Sequence, residues 1–170
     1  FTDYGPFGVY AIVKLMPSAR AGDLVKQTAE KMDKRLLKDT LPAVDNALKE
    51  FNISLQELPD NEDLRLLGVF LNYWYQIRFG SNKKSEAEAT RLMGSINLNL
   101  SESQYADFAK AAQFTSALKT KQAIQTIRKG GKESNPNGLA LLATAHLLGG
   151  EYDEALSAAG NLEQAGIPVR

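Results

Sequence analysis

The chain has 170 residues, of which 44% are hydrophobic and 24% charged, enough apolar content for one buried core or a short repeat array. Its 20 Lys and Arg residues balance its 20 Asp and Glu residues, which excludes the basic footprint of a nucleic-acid binder and of a polybasic membrane-surface protein. It has no cysteine, so disulfides, thiolate metal sites and a cysteine nucleophile are excluded as well.

Residues 1–22 are punctuated by Gly5, Pro6, Gly8, Pro17 and Gly22, and Val9 to Val13 is β-branched and aromatic. This predicts a short irregular or strand-like N-terminal arm. The longest apolar run, Val9 to Met16, contains Lys14 and falls short of the roughly 18–20 residues of a membrane span, so no span is expected in this stretch. The chain opens on Phe1 rather than Met, which suggests a processed signal, a cut or more protein upstream.

From residue 23 onward the pattern is helical. Leu24, Thr28, Met32 and Leu36 recur at i, i+4 behind a capping Asp23, giving a first helix to about Asp39. Thr40 and Pro42 restart the chain, and Leu41, Val44, Leu48 and Phe51 carry a second helix to about Phe51. Ser54 to Glu57 has capping-box spacing and predicts one further turn. Asp60 and Asn61 cap a third helix holding Leu64, Leu67, Gly68, Leu71, Trp74 and Tyr75, closed by Gly80. A fourth helix is expected over 85–97, and a second capping box at Ser101 to Gln104 precedes a fifth with Tyr105, Phe108, Ala109 and Ala112. The sixth carries Ala123, Ile124 and Ile127 and stops at Gly130 and Gly131. Helices seven and eight flank the Gly149-Gly150-Glu151-Tyr152 turn. The expectation is an all-α chain of antiparallel pairs over about 24–51, 61–97, 102–130 and 138–165, each pair too small to bury its apolar face alone.

The last pair resembles a tetratricopeptide repeat. Leu139, Leu142, Ala143 and His146 stand at that family's first-helix positions, and Gly150, Tyr152 and Ala155 match its turn and second helix. Leu139 and His146 depart from its two aromatics, Ala159 stands where a bulky aromatic is common, and Pro168 falls near its terminal proline. Leu64, Leu67, Gly68 and Leu71 repeat the first-helix pattern, and Tyr105, Phe108, Ala109 and Ala112 give a third copy. Tyr105 lies 41 residues after Leu64, and Leu139 lies 34 after Tyr105, the second spacing being the family's period. The resemblance covers about 60–168 and implies a right-handed α-solenoid of about four helix pairs; a non-repetitive helical bundle is the alternative. It also implies a scaffold, adaptor or assembly factor rather than an enzyme, with a groove for a peptide or helix of a protein partner. Ala140, Thr144 and Leu148, with Arg65 and Val69 in the earlier copy, would face that groove, and the Lys/Asn clamp of carboxylate-binding members is missing. A structural or self-associating domain of a larger assembly is the second reading, since a further repeat could begin after Arg170.

No constellation for catalysis, cofactor or metal is visible. His146, the one histidine, has no partner in the sequence pattern and reads as packing. The acidic pairs at Asp60/Glu62/Asp63, Glu86/Glu88 and Asp153/Glu154 fall at helix starts, where they oppose the helix dipole. Arg128 to Lys132 lacks the strand and Ser/Thr of a phosphate loop. The aromatic run Phe70, Tyr73, Trp74, Tyr75 and Phe79 covers two faces of one helix, more than one interhelical seam needs, so one or two rings are expected at the surface. These five, with Thr144 and Leu148, are the candidate partner-binding residues.

Overall fold

The computed structural model describes residues 6–164, with side chains from residue 19 onward. Eight helices account for most of it: α1 Pro6–Leu36, α2 Leu41–Glu57, α3 Glu62–Phe79, α4 Lys83–Met93, α5 Ala106–Ser116, α6 Thr120–Lys129, α7 Pro136–Leu148 and α8 Tyr152–Gln164. A single 3-10 turn, Lys132–Ser134, precedes α7. No strand occurs among the described residues.

The expected strand-like arm is corrected: α1 is helical from Pro6 and passes through Gly8, Pro17 and Gly22. Residues 1–5 lie outside the described residues. A lone strand has no ladder partner in an all-helical chain, whereas a helix satisfies its own backbone donors and acceptors. The extra turn expected at Ser54 is likewise part of α2. Ser54 is buried and its Oγ lies 2.8 Å from Thr28 Oγ1, so the hydroxyl joins α1 to α2 instead of capping a new helix. The Arg35 guanidinium adds a two-point clasp to Glu50, at 2.6 and 3.0 Å, and holds that carboxyl below its ordinary pKa.

Local sequence fixes most other boundaries. Asn61, Asn82 and Asn135 each accept a backbone N–H at the start of α3, α4 and α7. The fourth helix ends earlier than expected, at Met93, because Gly94 turns the backbone to φ 48. Arg65 then donates to the freed carbonyl of Leu92 at 2.7 Å, tying α3 to the end of α4. The second capping box is not formed either: Ser101 Oγ accepts from Ser103 N, Ser103 Oγ accepts from Tyr105 N, and α5 starts at Ala106.

Packing is centred on α3, which touches α2, α4 and α5 along its length. That explains its composition. Leu64, Leu66, Leu67, Val69, Phe70, Leu71, Tyr73 and Trp74 are all buried, covering every side of the helix, as expected for one surrounded by neighbours. Consecutive helices joined by short connections pack on each other, as α1 on α2, α3 on α4, α5 on α6 and α7 on α8. The contact that spans the most sequence joins α1 to α7. The C-terminal part of α1 touches α7, where Asn137 Nδ2 donates to Asp33 Oδ1.

Candidate functional site

An apolar cavity of about 370 Å³ opens between the end of α1, the C-terminal half of α3, and the α7–α8 hairpin. Small side chains make the space. Ala140 and Ala143 on α7 face Ala155 and Ala159 on α8, and Leu36 and Trp74 close the far side. Ala159 is the position where the resembled family commonly carries a bulky aromatic, and its small size enlarges the cavity. The lip is formed by Leu147, Tyr152 and Leu156, which stay 55%, 65% and 71% exposed. Three large apolar side chains at one mouth exceed the scattered surface hydrophobics of an ordinary fold. At the α1–α3 rim Arg78 pairs with Asp39, and the same guanidinium lies 6.0 Å from the centroid of the Trp74 ring.

The expected partner-binding residues fall in different places. Trp74 lines this cavity, and its buried Nε1 has no hydrogen-bond partner among the described residues. Thr144 lines it too, as does Ala140; Leu148 is exposed outside it. Phe70 is buried against Trp74 and Phe108, with ring centroids 6.0 and 5.9 Å apart. Tyr73 is buried beside Gln113, and Tyr75 is half-buried against Phe79, which is partly exposed. The rings exceed one seam because α3 packs on α2, α4 and α5, and Phe70 and Tyr73 meet α5 at Phe108 and Gln113 while Trp74 faces the cavity. Of the earlier-copy positions, Arg65 is spent on the end of α4 and Val69 is buried.

Sequence reasoning did not select Tyr152 and Leu156 as contact residues. Their i, i+4 spacing on α8 was visible, but Tyr152 also fits a turn signature. His146 is buried, with Nδ1 2.5 Å from Glu151 Oε2 across the α7–α8 turn, so its polar edge is engaged within the hairpin. Among the described residues no group of three or more His, Asp or Glu could hold a metal, and no helix is long and apolar enough to cross a membrane.

Asp33 on α1 accepts a hydrogen bond from Asn137, which lines the cavity. Burial raises its pKa, the Asn137 hydrogen bond partly offsets this, and the nearby Glu30 charge adds to it. A carboxylate with a higher pKa folded than unfolded costs stability above its folded pKa, and the cost disappears as pH falls through that value towards the ordinary one. Asp33→Asn keeps an oxygen to accept from Asn137. Its Tm is therefore expected to exceed the wild type at pH 7, the gap closing as pH is lowered into the ordinary carboxylate range. A Tm below wild type at pH 7 would contradict this account.

No protein family, curated protein or solved structure matches the chain.

Proposed function

We propose that this chain is a non-enzymatic protein-interaction module, a tetratricopeptide-type array of helix pairs whose apolar cavity receives a segment of a partner protein. The observation that carries the reading is the lip of Leu147, Tyr152 and Leu156 over an alanine-walled cavity. An amphipathic helix or extended segment would set one or two large apolar side chains into that space, leaving its polar side to solvent. The repeat reading is supported by Gly150, Tyr152 and Ala155 at the α7–α8 hairpin and by the 34-residue spacing of Tyr105 and Leu139. The non-enzymatic reading rests on the character of the walls, which are mainly alanine and leucine with Trp74, Tyr152, Asn137 and Thr144, and with one ion pair at the rim.

Leu156→Glu and Tyr152→Ala are expected to weaken partner binding while leaving Tm within about 2 °C of wild type, since exposed substitutions seldom shift stability by more than about 0.5 kcal/mol. Peptides selected on the wild-type chain from a displayed library should carry large apolar residues at i, i+3 or i+4 and i+7. They should lose about tenfold or more in affinity for Leu156→Glu, as loss of an interface anchor does. Selected peptides that bind the variant as tightly as wild type would place the interaction elsewhere.

A further inference from the structure

A second cavity, of about 480 Å³, lies on the other side of the Asp33–Asn137 bridge, between α1, α3, α5 and the 3-10 turn before α7. We propose that it binds a primary ammonium group carried on an apolar stem. Three observations converge on that chemistry, and none depends on the apolar groove.

The first is a pair of acceptors without a donor. Asn137 is 94% buried, being 6% exposed, and lines the cavity. Its Nδ2 faces a carboxylate, which fixes the amide orientation and leaves Oδ1 as an acceptor. Oδ1 receives no hydrogen bond from the described residues, and it is not sealed, since Trp74 Nε1 is the one fully buried side-chain polar atom without a partner among them. Beside it, Asp33 uses Oδ1 for Asn137 and forms no ion pair among the described residues, although Lys26 and Lys132 line the same cavity.

The second is the wall. Phe70, Tyr105 and Phe108 supply aromatic surface, and Lys132 Nζ already lies 5.5 Å from the Phe108 centroid, so this wall holds a cation of the chain itself. The third is the carboxylate charge that bears on Tyr105. Burial raises the Tyr105 pKa first, and the Asp63 and Asp33 charges raise it further. Two carboxylate charges therefore reach that phenol.

The acceptors left free suit an ammonium. One Asp33 oxygen is already engaged by Asn137, so a two-point clasp by a guanidinium would compete with that bond. The three N–H donors of an ammonium suit separate acceptors, here the second Asp33 oxygen and Asn137 Oδ1. The stem then lies on the rings. Such a group reaches the cavity either as a free alkylamine or as the lysine side chain of a partner.

The test titrates the full chain at pH 7 and low salt with n-butylammonium, with N-acetyl-lysine amide and with n-butanol, by calorimetry and ligand-detected NMR. Both amines are expected to bind saturably and n-butanol is not. Asp33→Asn, which retains the Asn137 contact, should weaken amine binding by about tenfold or more, the loss expected on removing a charge-assisted partner. Asn137→Ala should weaken it as well. Tighter binding of the lysine amide identifies a partner's side chain as the source, and tighter binding of n-butylammonium identifies a free alkylamine. Absence of saturable amine binding, equal binding of n-butanol, or unchanged binding by a folded Asp33→Asn would overturn the proposal.

Discussion

Phe51→Ala is expected to lower Tm by roughly 6–20 °C, from a loss of about 3–5 kcal/mol. Phe51 is wholly buried on α2 and its ring meets α3 at Gly68, where an added Cβ would overlap the Phe51 ring and come within 2.7 Å of Leu92 Cδ1. The ring therefore fills a slot that only a side-chain-free position on α3 leaves open. Truncation removes the apolar contacts and leaves a void between α2, α3 and α4 that a close-packed interior closes only in part. Thermal and urea denaturation followed by circular dichroism measure the effect. The same geometry predicts coupling: Gly68→Ala should cost less in the Phe51→Ala background than in the wild type. A Tm change under about 2 °C for Phe51→Ala would mean that the α2–α3 contact is not packed as described.

Gly138→Ala is expected to cost about 1–3 kcal/mol or more. Gly138 sits in the first turn of α7, against the backbone carbonyl of Lys132 in the preceding 3-10 turn, and a methyl there would overlap that oxygen. A backbone atom cannot rotate away as a side-chain end can, so the turn and α7 must separate. The consequence reaches function, because the first turn of α7 also carries Asn137, and α7 forms one wall of the apolar cavity. Gly22 provides the control. It lies in α1 with open space around its Cβ position, and Gly22→Ala should be neutral or stabilising by up to about 1 kcal/mol. Equal Tm values for the Gly22 and Gly138 variants would rule out the close approach at Lys132.

The candidate site divides along the same line between local and distant causes. Ala140 and Thr144 were legible as groove positions because helical period places them on one face of α7. Leu148 has the same period and lies outside the cavity, since the groove is bounded by Leu147 and by α8 at that level. Phe70 and Tyr73 were plausible contacts while α3 was assumed to have one seam, and burial on all sides removes them from the surface. Trp74 remains at the cavity because the end of α1 and α7 stop short of covering it. Asp33 and Asn137 were unremarkable in sequence, a helix-face acid and a helix-start amide separated by 104 positions.

By itself the sequence determined the helical class, several helix boundaries and the turn between α7 and α8, because these depend on interactions within a few residues. The Asn61 cap, the glycine stop at Gly80 and the i, i+4 apolar rows act locally, and their effects hold wherever the helix is later packed. The tertiary structure decided what lies across from each face. It turned the residue 6–22 stretch into helix for want of a strand partner, surrounded α3 with neighbours, and brought the end of α1 against α7. That last contact sets an apolar cavity on one side of the Asp33–Asn137 bridge and one of mixed charged and aromatic lining on the other. Contacts between positions so far apart depend on the sum of every intervening helix length and packing angle, which no local pattern records.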